Sequence, residues 1–496
     1  MKSLKNLVVP FIILIALVIC AIVYFAVENF KNREPSETSS ELINVVNFTV
    51  QDVSSLSVKN NVTGYNSVVN CVSDANGGIT YSYVGDEANS SENYSQARLS
   101  NYVGSLSSFS CDSKVSTEGN YAEYGLDNPR YTITINGKDG NNTTLYLGNV
   151  SPDGKFVYMY VAGSKDIYSV SVVKSATAEN TEVNFVDSQK LSIDYSEVNS
   201  VRFSRQTDGL SLEADVKVDE KGIATFNITK PYVHPSSTYF AHMFDIITNL
   251  EINEFVNISQ QDLTTYGLAT PTYEFIINMK NGSKTEIYLS KLINGYYYGR
   301  ISGMKRYFML SEYQVEGLDL QETILIEPYI CYCYAKDYST ISGKYGDKSF
   351  KFELDVPAGT AIMDKETTVK LDGRNAKIED SFGRSYCSLL FESIACIKIG
   401  GVEMDAKVNK SAGPVITLTF IDRNYVTTEY EFYTRDSDSY YVCKNGEYMN
   451  FYVYSREIFN DGGSDTYNYG FWKAYELLNE AISGNSNGIY DISKET

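Results

Sequence analysis

The chain has 496 residues, enough for about three domains of about 150 residues each, and its 43% apolar content excludes disorder over the whole length. Its 42 Lys and Arg against 62 Asp and Glu give a formal charge of −20, which argues against nucleic acid or another polyanion as the main partner. The 42 tyrosines stand beside only 2 histidines, so the composition disfavours most histidine-based metal and acid–base chemistry.

The first predicted element is a membrane-spanning helix. Residues 7–27 form a run of 21 residues without a charge, and at 1.5 Å per residue such a helix is about 31 Å long, close to the thickness of the bilayer hydrocarbon. A cleaved signal peptide is the alternative, although its apolar region usually spans only about 7–15 residues. A lipoprotein signal would need a small residue just before Cys20, where Ile19 stands.

The charge beyond this helix indicates the side of the membrane on which the body lies. Basic residues flank both ends of the apolar run, so the positive-inside count is nearly balanced. Residues 1–33 hold four basic residues and one acidic residue, which leaves 38 basic and 61 acidic residues and a charge of −23 for the rest. An anionic inner leaflet would repel such a body, which favours an extracytoplasmic location. Residues 34–44 are the predicted linker.

A repeat with an offset of 142 residues organises the body. The hexapeptide Tyr124-Gly125-Leu126-Asp127-Asn128-Pro129 recurs as Tyr266-Gly267-Leu268-Ala269-Thr270-Pro271. Four β-type runs separated by turns follow each hexapeptide, which predicts an antiparallel meander. A degenerate third copy without the hexapeptide follows Gly413-Pro414, and its β-type runs are residues 415–420, 430–433, 440–443 and 451–454.

Apolar residues at helical spacing precede each meander. They are Leu99, Tyr102, Val103 and Leu106 in the first copy, Phe240, Met243, Phe244, Ile247 and Leu250 in the second, and Leu389, Leu390 and Ile394 in the third. With further strands before each helix, the predicted fold is α+β: an N-terminal transmembrane helix, then three tandem modules, each a mostly antiparallel sheet with one packed helix.

The predicted boundaries are 1–33 for the membrane anchor, 34–44 for the linker, 45–175 and 190–318 for two modules, 330–460 for the degenerate module, and 461–496 for a C-terminal helix and tail. Trp472, the only tryptophan, is predicted to anchor that helix by packing. The repeated hexapeptide is interpreted as structural: glycine permits a backbone conformation closed to other residues, proline fixes the next bend, and leucine enters the core.

At the hexapeptide the chain resembles a known family, domain of unknown function 4340. The first copy, the strand pair after it and its Leu147-Gly148 ending carry the resemblance, which covers roughly residues 45–320 well and the third module weakly. Members are typically membrane-anchored or lipoprotein-like extracytoplasmic proteins, often encoded beside ABC-type exporters. The resemblance therefore implies an accessory subunit, with an ABC-type permease or related membrane subunits as protein partners, and it supplies no catalytic residues.

Three patterns that suggest chemistry are interpreted as chance. Residues 484–488 fit the hydrolase elbow G-x-S-x-G, but both histidines precede them in the chain. Ser171 and Lys174 fit S-x-x-K without the accompanying motifs of penicillin-binding proteins. His234 and His242 have no Cys or carboxylate at a recognisable zinc spacing. No catalytic, cofactor-binding or metal-binding residue is predicted.

Seven cysteines lie outside the apolar run, so at least one is unpaired within a monomer. Cys71 and Cys111 are the only two in the first module and are the first candidates for a disulfide; buried, reduced thiols are the alternative. Cys331 and Cys333 alternate on a predicted strand, which would place both thiols on one face.

Most tyrosines are expected on half-buried strand faces. The run Tyr296, Tyr297 and Tyr298 must point to both faces of its strand, and we identify it as a candidate interaction surface. The predicted function is a non-enzymatic, membrane-anchored extracytoplasmic accessory or scaffold protein of an ABC-type export system. The alternative is a binding module for cell-wall glycan or another surface ligand, and a third possibility, a hydrolase, would need a carboxylate pair.

Overall fold

A computed structural model describes residues 42–111, 113–331, 333–379, 383–462 and 469–484. The predicted membrane helix at residues 7–27 lies outside these ranges. Among the helices of the described ranges, none is long and apolar enough to cross a membrane. The chain divides into two compact units, one ending at Ser188 and the other beginning at Gln189.

The first unit contains an antiparallel sheet of eight strands, sheet 1, in the order β4-β3-β2-β7-β8-β9-β10-β6. Strands β1 and β5 form a separate ribbon. The strands are β1 (Ile43–Asn47), β2 (Val53–Asn60), β3 (Asn66–Ser73), β4 (Ile79–Tyr83), β5 (Ser108–Cys111), β6 (Ser113–Ser116), β7 (Tyr131–Gly137), β8 (Asn142–Val150), β9 (Phe156–Val161) and β10 (Ile167–Ser171). The helices are α1 (Gln96–Ser107) and α2 (Val173–Ala178).

The second unit begins with a nine-stranded sheet, sheet 2, in the order β15-β14-β13-β12-β18-β19-β20-β21-β17, and a ribbon of β11 with β16. Its strands are β11 (Gln189–Lys190), β12 (Val198–Arg205), β13 (Leu210–Val218), β14 (Ala224–Lys230), β15 (His234–Pro235), β16 (Glu251–Ile252), β17 (Glu254–Val256), β18 (Tyr273–Met279), β19 (Lys284–Leu289), β20 (Tyr296–Ile301) and β21 (Tyr307–Ser311). Helix α3 (Thr238–Thr248) packs on this sheet, and α4 (Glu322–Leu325) follows it.

Sheet 3, also nine-stranded, completes the second unit in the order β25-β24-β23-β22-β27-β28-β29-β30-β26. Its strands are β22 (Tyr338–Tyr345), β23 (Lys348–Asp355), β24 (Thr368–Leu371), β25 (Arg374–Asn375), β26 (Gly401–Val402), β27 (Ile416–Asp422), β28 (Thr427–Thr434), β29 (Ser439–Lys444) and β30 (Glu447–Tyr454). The helices are α5 (Tyr386–Ala395), α6 (Arg456–Phe459) and α7 (Phe471–Ile482).

The predicted α+β class, with mostly antiparallel sheets and a few helices, is confirmed. The three large sheets share one strand order, in which the strands before the helix lie beside the four-strand meander after it. Sheet 1 has three strands before its helix, and sheets 2 and 3 have four, because the two-residue strands β15 and β25 extend their edges. The described residues hold five sheets rather than three, because short segments before and after the helices pair as ribbons. In the third copy the same pairing shrinks to a single bridge between Tyr329 and Lys398.

The helices bury the faces that their spacing predicts. In α3, Phe240, Met243, Phe244 and Ile247 are buried, and the Ser237 side chain accepts a hydrogen bond from the Phe240 amide, which caps the first turn. Sheet 3 carries α7 as well as α5, so it has two packed helices rather than one. Trp472, in the first turn of α7, is buried with its ring centroid 5.8 Å from that of Phe350 on β23, and it acts as the predicted packing anchor.

Candidate functional site

A cavity of about 600 Å³ lies within the second unit, where the β14–β15 edge of sheet 2 meets the β29–β30 hairpin of sheet 3. This volume is in the range of small-molecule sites, about 300–1,000 Å³. Five tyrosines line the cavity: Tyr232, Tyr329, Tyr338, Tyr430 and Tyr448. Asparagine, glutamate and lysine side chains also contribute, so the cavity wall combines aromatic faces with hydrogen-bonding groups.

Tyr232 follows β14, and contacts at its hydroxyl and at its ring hold its side chain in place. Its hydroxyl donates to Glu322 Oε1 at 2.5 Å, and its ring meets Phe451 of sheet 3 edge-on, with centroids 4.8 Å apart. Burial raises the pKa of Tyr232 and also that of Glu322. Tyr232 is therefore a protonated donor that links the segment after β14 to α4.

His234 is buried on the same wall, with 4% of its surface exposed. Its Nε2 donates to the carbonyl oxygen of Glu327 at 2.8 Å, and its ring lies 5.0 Å from that of Phe451. Burial lowers the pKa of His234, and the charge of Lys444 lowers it further. The imidazole is thus neutral at neutral pH and holds the wall of the cavity in place.

Tyr338 and Tyr430 form the sheet 3 side of the cavity. Both rings contact Phe420, at centroid distances of 5.3 Å and 5.5 Å. Burial raises the pKa of Tyr338 to about 12, so its hydroxyl stays protonated and can donate. The Lys444 ammonium lies 5.7 Å from the ring centroid of Tyr430, its cross-strand neighbour.

The candidate surface Tyr296, Tyr297 and Tyr298 is divided between the two faces of β20. Tyr297 is only 7% exposed, and Tyr298 lies edge-on against Tyr266 with centroids 4.7 Å apart. Tyr296 is the most exposed of the three at 37%. Only Tyr296 presents a large exposed ring, because the alternation of the strand buries its neighbour against Tyr273.

The repeated hexapeptide has the structural geometry that the sequence suggests. Gly125 and Gly267 adopt φ of +68° and +66°, in the left-handed region. Leu126 and Leu268 are buried. The motif tyrosines pair with third-strand tyrosines in both copies: the ring centroids are 4.8 Å apart for Tyr124 and Tyr158 and 4.7 Å apart for Tyr266 and Tyr298. Pro129 and Pro271 are half-buried where the chain enters β7 and β18.

The cysteines of the first unit agree with the alternative of buried, reduced thiols rather than with the candidate disulfide. Cys71 and Cys111 are both buried in the core of the first unit and are not joined to each other. Burial among apolar side chains raises the pKa of Cys71 to about 11, as expected for a reduced structural thiol. The predicted strand at Cys331 and Cys333 is wrong: the pair follows the bridge at Tyr329, and only Cys331 is buried.

The chance motifs do not form sites in the described chain. Lys174 donates to the carbonyl oxygens of Ser105 and Ser108 at the end of α1, which is a structural role. His242 is exposed on α3, 3.8 Å from Glu316. Residues 485–488 of the elbow pattern lie outside the described residues. Within the described ranges, no group of three or more His, Cys, Asp or Glu is placed to hold a metal ion.

The cavity was not foreseen from the sequence, because it joins residues that lie over 200 positions apart. One sequence signal could have located it. When the strands of the third copy are aligned with those of the second, Lys444 takes the position of the apolar residue Ile301.

Comparison with known families gives one result. A family model described as Domain of unknown function (DUF4340) matches residues 88–233 and 240–383, which together are more than half of the chain. Each match begins just before or within a module's helix and continues into the strands before the next helix. No curated protein and no solved structure matches the chain.

Proposed function

Because the chain belongs to the family described as Domain of unknown function (DUF4340), we propose that it is a non-enzymatic, membrane-anchored accessory or scaffold protein whose body is extracytoplasmic. In this proposal residues 7–27 hold it in the membrane, and it serves an ABC-type export system as an auxiliary subunit. The uncharged run and the charge of −23 on the residues beyond position 33 support the anchoring and the sidedness.

One face of sheet 3 has the side chains expected of a surface that binds a protein partner. On the side opposite the buried core, Tyr441 lies directly across from Tyr452, and the rings of Tyr452 and Tyr454 meet edge-on at 5.6 Å. Arg435 and Arg456 lie over these rings, at 4.1 Å from Tyr452 and 4.7 Å from Tyr454. We call these five residues the tyrosine–arginine face. Tyrosine and arginine are the side chains that most often dominate binding at protein interfaces.

Co-purification of the full chain from detergent-solubilised membranes tests the partner. We expect an ABC-type permease at fixed stoichiometry, and we expect the double variant Tyr454→Ala, Arg456→Ala to lose it. Tyr425→Ala, at an 86% exposed loop residue of the same sheet, is the matched control and should retain the permease. Retention of the permease by both variants would show that this face is not the contact, and absence of any permease from the wild type would contradict the accessory role.

Protease treatment of intact cells tests the sidedness separately. An extracytoplasmic body should be digested from outside, whereas a protected body would place the sheets in the cytoplasm and contradict the proposal.

The cavity of the second unit favours a second candidate function, binding of a cell-wall glycan. Its five tyrosines offer flat apolar faces, and Asn227, Asn445 and Glu447 offer groups that can bond sugar hydroxyls. Sedimentation of the full chain with insoluble peptidoglycan tests this function. We expect retention that Tyr448→Leu weakens and Tyr425→Ala does not, and an absence of retention by the wild type would contradict it.

A further inference from the structure

The three large sheets can be compared at equivalent positions, because their meanders have the same register. We compare the residue two positions after the start of the first meander strand. It pairs with a residue of the second strand in each sheet: Ile133 with Leu145 in sheet 1, Phe275 with Ile287 in sheet 2, and Leu418 with Tyr430 in sheet 3. On the third strand, the residues opposite these are Val161, Ile301 and Lys444.

Sheet 3 differs from the other two at this pair. Sheets 1 and 2 place two aliphatic side chains side by side on the core face, Leu145 with the half-buried Val161 and Ile287 with Ile301. Sheet 3 places Tyr430 beside Lys444 on the same face, next to the 600 Å³ cavity. Lys444 is exposed at the end of β29, so its ammonium stays solvated and no protein anion is needed to stabilise it.

The Lys444 ammonium is available to a ligand. None of the ion pairs formed by the described residues includes it, although Glu447 lies directly opposite in the hairpin. It faces the ring of Tyr430 at 5.7 Å, and its charge reaches His234 on the opposite wall, where it lowers the pKa of the imidazole. The cation therefore lies at the cavity and close to both walls.

We propose that Lys444 binds the carboxylate of an acidic sugar residue in this cavity. This inference rests on the glycan-binding function proposed above. The sugar ring packs against the tyrosine faces, and Glu327 and Glu447 accept hydrogen bonds from its hydroxyl or amide groups. Lys444 supplies the one positive charge among the lining residues that the structure describes. In this arrangement, the position that holds two apolar residues in sheets 1 and 2 holds Tyr430, which packs against the sugar ring, and Lys444, which binds its carboxylate, in sheet 3.

Two disaccharides that differ by one carboxylate test the proposal. The acidic probe is N-acetylglucosaminyl-N-acetylmuramic acid, and the neutral probe is di-N-acetylchitobiose, which lacks the lactyl carboxylate. Binding to the full chain in detergent is measured by ligand-observed NMR and calorimetry. We expect the acidic probe to bind about tenfold more tightly or better, since charged hydrogen bonds are the stronger ones.

Variants assign this preference to the lysine. Lys444→Gln should abolish the preference and leave the neutral probe unaffected, whereas Lys444→Arg should keep it. Lys444→Ile restores the residue type of sheet 2; it should fold at least as stably as wild type, by the fluorescence of Trp472, and lack the preference. Lys351→Gln, at an exposed lysine of sheet 3, is the control and should behave as wild type.

The outcomes separate the inference from the function on which it rests. Equal binding of both probes by the wild type, or a preference that survives Lys444→Ile, would overturn the role of Lys444 and leave glycan binding in place. Binding of neither probe would overturn the inference together with glycan binding.

Discussion

Phe451 meets His234 edge to face, with ring centroids 5.0 Å apart, and this contact joins sheet 3 to sheet 2 in the second unit. Phe451 is fully buried and contacts Tyr232 in the same way at 4.8 Å. One phenylalanine of β30 therefore contacts two residues of the opposite cavity wall, His234 on β15 and Tyr232 just before it.

Truncation of this side chain should destabilise the second unit. We expect Phe451→Ala to cost about 3–5 kcal/mol of unfolding free energy, because it removes a buried ring and leaves a void. Urea titration followed by the fluorescence of Trp472 measures the loss in this unit. Tyr425→Ala, at an exposed position, should change the unfolding free energy by less than about 0.5 kcal/mol. Equal midpoints for Phe451→Ala and wild type would contradict the joining role.

His234 should make the stability of the second unit depend on pH. Burial lowers its folded-state pKa below the ordinary value of 6.5, so below pH 6.5 the unfolded chain binds a proton that the folded chain does not. Stability is then lost as pH falls from 6.5 towards the folded-state pKa, with no further loss below it. His234→Gln keeps an amide donor for Glu327 and should lose less stability than wild type between pH 7.5 and 5.5 in the same titration. Parallel losses in the two proteins would count against this assignment.

Lys174 should act as a cap rather than as a catalytic base. Its ammonium donates to the carbonyl oxygens of Ser105, in the last turn of α1, and of Ser108, just after it. It also lies 4.7 Å from the ring centroid of Phe109, and burial lowers its pKa. We expect Lys174→Met to destabilise α1 by about 1–2 kcal/mol, visible as faster hydrogen exchange of its amides. The exposed control Lys155→Met and the variant Ser171→Ala should leave exchange unchanged. A larger effect from Ser171→Ala than from Lys174→Met would refute the capping role.

Gly125 should tolerate a side chain less well than another left-handed glycine of the same unit. A Cβ at Gly125 would meet Asn149 at 2.5 Å, whereas one at Gly140, φ +85°, would meet nothing within 4 Å. Gly140→Ala should cost about 1 kcal/mol of backbone strain and Gly125→Ala about 2 kcal/mol or more. Hydrogen exchange of β7 measures both. The double variant Gly125→Ala, Asn149→Ala should recover part of the difference; if it does not, the contact with Asn149 is not the cause.

The sequence alone was sufficient to predict the four-strand meanders and the helix before each of them, because their patterns are local. Leu99, Tyr102, Val103 and Leu106 recur at helical spacing and are buried on α1. Even the third meander could be located from its β-type runs without the hexapeptide. The alternation of β20 also required one of Tyr296 and Tyr297 to be buried, but it could not identify which, because both are tyrosines.

The cavity could not be predicted in this way, because it depends on how two sheets pack. Neither Tyr232, between β14 and β15, nor Phe451, on β30, stands out in its local sequence, and their contact at 4.8 Å follows from the docking of β14 and β15 on the β29–β30 hairpin. The transmembrane helix and the side of the membrane stay predictions, as does the partner. The Cys71–Cys111 disulfide also depended on tertiary distance, which spacing along the chain does not supply.

The boundaries of the family match do not coincide with those of the sheets, and this affects how a fragment defined by the match would fold. A fragment of residues 88–233 would hold the meander of sheet 1 and the strands β12, β13 and β14, but neither β2 nor β18. Such a fragment contains one complete set of module elements in circularly permuted order. Its β7 and β12 would each lack the partner they have in the full chain, and β12 is the repeat equivalent of β2. We therefore expect these two strands to pair with each other, within one fragment or by domain swapping between two.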